Sequence, residues 1–129
     1  MSEVFHMFLQ GELVFAPCPS GSGRENISPH YLVVLGETAE GVLCMFTTSV
    51  KEPNGGGKYA FTEAERAAAG FSKPCRFDPS RLVLYPPTVA ARVLRRCSGR
   101  LNRQQVQRLL QAAMAVRARY VTYTYRHAA

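Results

Sequence analysis

Two oppositely charged side chains, Arg76 and Asp78, are two residues apart in a short segment that the sequence predicts to be extended. Alternate residues of an extended segment lie on the same face, so both side chains can act on one bound group. A carboxylate can accept a proton, and a guanidinium can hold an anion through paired hydrogen bonds. A surface ion pair beside a turn explains the same two residues, and that alternative stays open.

Three more polar residues stand at the edges of apolar segments. His30 precedes the apolar run 31–35. Because a free imidazole has a pKa of about 6.5, this side chain can give or take a proton near neutral pH. It is equally explained as an ordinary residue at the end of a strand. Thr47 and Thr48 follow another apolar run, and threonine is also a common strand residue.

The four cysteines, Cys18, Cys44, Cys75 and Cys97, are far apart, and none stands at metal-ligand spacing from a histidine. The spacing predicts reduced thiols without structural zinc, and nothing in it marks a cysteine as a nucleophile. Cys44 lies in an apolar run and is expected in the core. The other three adjoin polar segments and are expected to be partly exposed.

The charge of the chain is divided unevenly along its length. Up to Asp78 there are six basic and nine acidic residues, whereas from Pro79 onward there are ten arginines and no acidic residue, for a net charge of +7. Such an unbalanced stretch favours a polyanionic partner, and arginine binds phosphate and stacks on bases better than lysine does. A solvated helix face is the alternative interpretation.

The apolar pattern predicts a mainly β chain. Extended segments are expected at 11–17, 30–35, 41–48, 59–61, 75–77 and 81–85. Loops are expected at 20–26 and 53–58, a helical turn at 62–70 and a tight turn at 78–80. The first three extended segments have short links, so we expect an antiparallel meander.

One helix is expected near the C-terminus. Asn102 is a good N-cap, and Gln105 stands three residues later, at the capping-box position. The apolar stripe that follows reaches Met114 and can extend to Tyr120. Residues 121–125 alternate as an edge strand would, or form a tail that orders on a partner.

The length of 129 residues fits one domain over 1–129, with 1–10 as a lead-in and 121–129 as a C-terminal extension. No apolar run approaches the length of about 18 residues that a membrane helix needs. Residues 1–10 lack the basic start and the cleavage site of a secretory signal. We therefore expect no membrane contact and a cytoplasmic location.

Five short motifs in order resemble the MazF/PemK toxin family of messenger-RNA endonucleases, over roughly residues 11 to 117. They are Gly11-Glu-Leu-Val-Phe15, Tyr31-Leu-Val-Val34, Phe46-Thr-Thr-Ser49, Arg76-Phe-Asp78 and Gly99-Arg-Leu101. The resemblance implies a small SH3-like barrel of the PemK type, closed by a C-terminal helix. It also implies a homodimer, single-stranded RNA as substrate, an acidic antitoxin as protein partner, and no cofactor or metal.

The resemblance further implies RNA cleavage in which a ribose 2′-hydroxyl attacks the adjacent phosphate, leaving 2′,3′-cyclic phosphate and 5′-hydroxyl ends. Asp78 would then be the base, while Arg76 and Thr47 would contact the phosphate. His30 stands where the family has a catalytic arginine, so it is the fourth candidate catalytic residue. The candidate RNA-binding residues are Arg24, Thr48, Arg81, Arg95, Arg96 and Arg100.

A binding module without catalysis, built on the same fold, is the alternative function. Such a module would bind nucleic acid or inhibit a protein. The replacement of the family's arginine by His30 favours it.

Overall fold

The structure is a computed structural model that describes residues 7–19, 27–49, 59–60 and 75–123. The predicted loops at 20–26 and 53–58 and the predicted turn at 62–70 lie outside these residues. The strands are β1 (Glu12–Pro19), β2 (Ile27–Thr38), β3 (Gly41–Ser49), β4 (Tyr59–Ala60), β5 (Cys75–Tyr85), β6 (Arg95–Arg100) and β7 (Tyr120–Thr122). The helices are α1 (Pro87–Val93) and α2 (Arg103–Ala115). The mainly β architecture with a C-terminal helix is confirmed.

The strands form one mixed sheet in the order β4-β5-β3-β2-β1-β6, and β7 adds to β5 as a parallel neighbour. The predicted antiparallel meander of β1, β2 and β3 is confirmed. Within the described residues β4 and β6 stand at opposite ends of the path, so the sheet is open there. Closure into a barrel stays a prediction.

A bulge interrupts the ladder between β3 and β5. Met45 pairs with Leu82, and Thr47 pairs with Phe77, so residues 78–81 have only one residue opposite them. The sequence predicts two extended pieces separated by a turn. The structure instead runs one strand through both pieces and makes the turn into a bulge.

The two faces of the sheet carry separate apolar clusters, because successive side chains of a strand alternate between faces. One cluster includes Val14, Ala16, Cys18, Leu32, Val34, Cys44 and Phe46, and α1 packs on it with Val89 and Ala90. The other includes Leu13, Val33, Met45, Phe77 and Leu82, and α2 packs on it with Val106, Leu109 and Ala113. Both faces are therefore covered over the middle of the sheet.

The start of α2 follows its predicted capping box. The Asn102 side chain accepts from the backbone N–H of Gln105 at 2.8 Å, and the Gln105 side chain accepts from the backbone N–H of Asn102 at 2.8 Å. The helix does not take the further extension to Tyr120 that the sequence pattern allows. The helix ends at Ala115, and Arg117 has a φ of 52°, which turns the chain into β7. Of the two alternatives for residues 121–125, the structure shows the edge strand, which starts at Tyr120 and ends at Thr122.

The sequence pattern does not predict α1 or β6. The α1 helix has only seven residues, and its N-cap position is Pro86, which makes no side-chain hydrogen bond there. The β6 strand is rich in arginine and lacks apolar alternation, so its pairing with β1 decides its conformation. None of the described helices is long and apolar enough to cross a membrane.

Gly11 lets β1 and the segment before α2 approach closely. Its φ is +91°, and a Cβ at this position would collide with the carbonyl oxygen of Leu101. The carbonyl of Gly11 accepts a hydrogen bond from Leu101 N at 2.8 Å, and its N–H donates to the carbonyl of Val34 at 2.8 Å. A side chain would therefore disturb the contact with Leu101.

Candidate functional site

His30 and Arg81 lie against the same buried aromatic ring. The centroid of the His30 ring is 5.4 Å from the centroid of the Phe46 ring, and the guanidinium carbon of Arg81 is 4.2 Å from that centroid. Phe46 is only 3% exposed, while His30 and Arg81 are partly exposed. We call these three residues the Phe46 site.

The sheet register places His30 at this site. Leu32 pairs with Phe46 across the ladder of β2 and β3, and His30 is two residues before Leu32. Residues two apart on a strand share a face, so the imidazole lies on the face that carries the Phe46 ring. Arg81 is the last residue of the bulge, directly before Leu82 resumes the ladder. A cation over an aromatic ring is attracted to the electron-rich face.

The environment of His30 keeps its imidazole neutral. Burial lowers the pKa of His30 from its ordinary value, and the positive charge of Arg81 lowers it further. A histidine with a lowered pKa is unprotonated at neutral pH and can accept a proton. The site thus combines a neutral base with a permanent cation.

Asp78 holds the bulge that leads to Arg81. Its Oδ1 accepts hydrogen bonds from the Ser80 backbone N–H at 3.1 Å and from the Ser80 hydroxyl at 2.6 Å. The residue is 7% exposed. The carboxylate therefore stabilises a turn, as aspartate side chains do when they bond to the backbone two residues later.

Thr47 joins β3 to β2 beside His30. Its hydroxyl donates a hydrogen bond to the carbonyl of Tyr31 at 2.6 Å, and the residue is 5% exposed. The hydroxyl proton is therefore already used inside the sheet. This geometry favours a positioning role for Thr47 over direct contact with a bound phosphate.

The register brings two further candidates together at the same end of the sheet. Thr48 pairs with Arg76 across β3 and β5, one step beyond the pair of Thr47 and Phe77. Arg76 also pairs with Ala60 of β4. Only the backbones of Thr48 and Arg76 are described, and Arg24 lies outside the described residues altogether.

The three candidate arginines of β6 differ in their surroundings. Arg96 Nε lies 3.1 Å from Glu12 Oε2, its guanidinium stands 4.5 Å from the centroid of the Phe8 ring, and it also donates to the carbonyl of Met7. Arg100 Nε donates to the carbonyl of Gln10 at 3.4 Å. Arg95 is exposed and makes no ion pair with another described residue. Arg96 therefore fastens the N-terminal lead-in to the sheet.

The described cysteines have the properties of structural residues. Cys18, which the sequence predicts to be partly exposed, is fully buried, and burial raises the pKa of its thiol to about 11 although the Tyr85 hydroxyl donates to it at 3.4 Å. The segment from Ser20 onward is polar, but the Cys18 side chain is buried in the same cluster as Val14 and Ala16. Cys44 is buried as predicted, and burial also raises the pKa of Cys97. A raised pKa keeps a thiol protonated and unreactive.

Phe46 and Ser80 contribute to this region of the structure, but the sequence gives only a weak signal for either residue. Phe46 belongs to a motif of the resemblance, but its type and spacing indicate only a core position. Ser80 looks like an ordinary turn residue until its two bonds to Asp78 are seen. Among the residues that the structure describes, no three His, Cys, Asp or Glu side chains form a group that could hold a metal ion.

Comparison of the chain with protein-family models, with curated proteins and with solved structures finds no match.

Proposed function

We propose that the chain is a toxin-like endoribonuclease of the MazF/PemK type that cleaves single-stranded RNA without a metal ion. The observation that carries the proposal is the combination of a neutral His30 and a cationic Arg81 at one buried ring. Cleavage through the ribose 2′-hydroxyl needs a base for the hydroxyl and a cation for the phosphate. RNA is the substrate because DNA lacks this hydroxyl.

In the proposed reaction His30 accepts the proton of the 2′-hydroxyl. The 2′-oxygen bonds to phosphorus, the bond from phosphorus to the 5′-oxygen breaks, and the 5′-oxygen takes up a proton from water. Arg81 binds the phosphate and stabilises the negative charge that develops on its oxygens. Arg76, whose backbone lies opposite Thr48 at the same end of the sheet, supplies a second cation. The products are a 2′,3′-cyclic phosphate and a 5′-hydroxyl.

The geometry favours His30 over Asp78 as the base. The Asp78 carboxylate already accepts two hydrogen bonds from Ser80 and is nearly buried. We therefore propose that Asp78 positions Arg81 and does not act as the base. Thr47 positions β3 against β2 through its bond to the Tyr31 carbonyl. The sequence-based assignment of Asp78 as the base is a competing hypothesis, and a pair of substitutions at Asp78 separates the two.

The proposal is tested by incubating single-stranded RNA with the chain in the presence of a chelator. We expect the parent to cleave and His30→Gln and Arg81→Gln to lose about 100-fold or more in rate, as is usual when a general base or a charge-stabilising group is removed. Arg92→Gln is the matched control, because it removes one exposed arginine of α1 that is not one of the three residues of the Phe46 site. Equal cleavage by all four proteins, or no cleavage by the parent, would contradict the proposal.

A binding module without catalysis is the second candidate. The internal hydrogen bonds of Thr47 and Asp78 support it, because they occupy two groups that the family resemblance assigns to catalysis. A binding module would bind RNA or a protein but would leave the RNA uncleaved, with a chelator or with magnesium. Restoring the family's arginine with His30→Arg should not create cleavage if the chain is only a binding module.

We also propose, from the same resemblance, that the sheet closes as a small SH3-like barrel and that the chain acts in the cytoplasm as a homodimer controlled by an acidic antitoxin. Exposed apolar side chains at the end of α2 and on β7 support a protein contact there. They are Met114, Val116, Tyr120 and Val121. The ten arginines without an acidic residue after Asp78 support a partner that is acidic.

A further inference from the structure

We infer that Phe15 and Tyr31 form a platform on which a base of single-stranded RNA stacks, with Arg95 beside it to hold a phosphate. The inference rests on the proposed RNA substrate, and it names the residues that bind one of the RNA bases. The two rings have their centroids 4.9 Å apart at an interplanar angle of 51°. Tyr31 is 56% exposed, so one aromatic side chain of the pair remains open to a ligand.

The position of the pair on the sheet explains this exposure. Phe15 pairs with Tyr31 across β1 and β2, and Leu13 pairs with Val33 two residues away on the same face. The α2 helix packs on the cluster that contains Leu13 and Val33. Tyr31 lies beyond this cover, although the ladder of β1 and β2 continues past it to Pro19 and Ile27. Cross-strand contact with Phe15 orients the tyrosine ring without burying it.

A cation lies next to the aromatic pair. Arg95 of β6 pairs with Phe15, so the three residues form a row across β6, β1 and β2. Arg95 is exposed and makes no ion pair with another described residue, whereas its neighbour Arg96 is bound to Glu12. Aromatic rings beside an exposed arginine are the usual means of binding single-stranded nucleic acid, because every base has a face to stack and every nucleotide has a phosphate.

The platform and the Phe46 site can be tested separately. His30 and Tyr31 are consecutive residues of β2, and consecutive residues of a strand point to opposite faces of the sheet. A change at Tyr31 therefore leaves the groups around Phe46 in place. Binding through the platform does not need the 2′-hydroxyl, whereas the proposed cleavage does.

The test is a titration of the full chain with a 2′-O-methyl oligoribonucleotide that carries 2-aminopurine, a base whose fluorescence falls when it stacks. We expect the parent to bind and quench it. Tyr31→Ala should weaken binding by about 5- to 150-fold, the range for losing one base–aromatic stack, and should abolish the quenching. Tyr31→Phe should bind within about 2-fold of the parent, because the ring and not the hydroxyl stacks.

Two further variants control the titration. Leu9→Ala removes an apolar side chain of similar exposure, 49%, from the segment before β1 and should bind like the parent. Tyr31→Leu keeps an apolar contact with Phe15 but has no aromatic face, so it should lose quenching even if Tyr31→Ala does not fold.

Equal affinity of the parent, Tyr31→Ala and Tyr31→Leu would overturn the inference, and so would a parent that binds no oligonucleotide. A change of oligomeric state in Tyr31→Leu with unchanged affinity would also overturn it, since a second copy of the chain would then cover the ring. Binding that depends on Tyr31 in a chain that cleaves no RNA would support the platform while contradicting the endonuclease.

Discussion

The guanidinium of Arg81 lies 4.2 Å from the centroid of the Phe46 ring, at the end of the bulge that stands opposite this phenylalanine. The position of the cation depends on the bulge, which Asp78 holds through Ser80. The charge of Arg81 in turn lowers the pKa of His30. The conformation of the bulge and the proton affinity of the imidazole are therefore coupled.

Arg81→Gln should raise the pKa of His30, because a positive charge that opposes protonation of the imidazole is removed. In the parent, the pKa should lie below the ordinary value of about 6.5. The base is active when neutral, so the rate should fall as pH drops through this pKa, and the fall should begin at higher pH in the variant. Imidazole NMR signals followed through a pH titration measure the shift, with Arg92→Gln as the control. An unchanged His30 pKa in Arg81→Gln would contradict the claim that the charge of Arg81 lowers the pKa of His30.

Asp78→Asn and Asp78→Ala should differ if Asp78 only positions Arg81. Asparagine keeps a side-chain oxygen that can accept both hydrogen bonds from Ser80, whereas alanine does not. We expect the asparagine variant to cleave within a few-fold of the parent and the alanine variant to lose about 10-fold or more, the scale of a misplaced catalytic group. Single-turnover rates on one RNA measure this. Loss of cleavage in both variants, with RNA affinity retained, would assign the base to Asp78 instead of His30.

Arg95 and Arg96 should contribute differently to the salt dependence of RNA binding. Each neutralised phosphate of a single strand adds about 0.7 to the slope of log affinity against log salt. Arg95→Gln should lower the slope by about this amount. Arg96→Gln should lower it less, because its guanidinium is already bound to Glu12. The triple change of Arg95, Arg96 and Arg100 to Gln should flatten the plot most, and an unchanged slope would place all three on a solvated face.

Gly11→Ala should destabilise the fold, whereas Gly36→Ala should not. A Cβ at Gly11 meets the Leu101 carbonyl at a positive φ, while a Cβ at Gly36 meets no atom within 4 Å. We expect the free energy of unfolding to fall by about 1–3 kcal/mol for Gly11→Ala, the usual cost of such backbone strain. For Gly36→Ala it should stay unchanged or rise by up to about 1 kcal/mol. Urea unfolding of the parent and the two variants measures these changes. Equal midpoints for all three proteins would show that Gly11 and Leu101 can move apart without loss of stability.

The sequence predicts the elements whose signals are local. The meander of β1, β2 and β3 follows from apolar runs with short links, and α2 follows from the capping box at Asn102. The strand β6 escapes prediction because its arginines carry no apolar pattern, and only pairing with β1 makes it a strand.

The site depends on relationships that are remote in sequence. The bulge exists because Met45 and Thr47 take partners five residues apart on β5, and no local pattern specifies that register. The ion pair of Arg96 with Glu12 joins residues 84 positions apart. Residue types therefore indicate which side chains can do chemistry, but the long-range pairing decides which of them meet.

The end groups of the RNA fragments distinguish the proposed cleavage from every other reaction. A single-stranded RNA incubated with the parent chain and a chelator should give fragments that end in a 2′,3′-cyclic phosphate and begin with a 5′-hydroxyl, both identified by mass. The same sequence with 2′-O-methyl groups should stay intact, because its nucleophile is blocked. Intact RNA, fragments that begin with a 5′-phosphate, or cleavage that stops in chelator and returns with magnesium would contradict the proposed function.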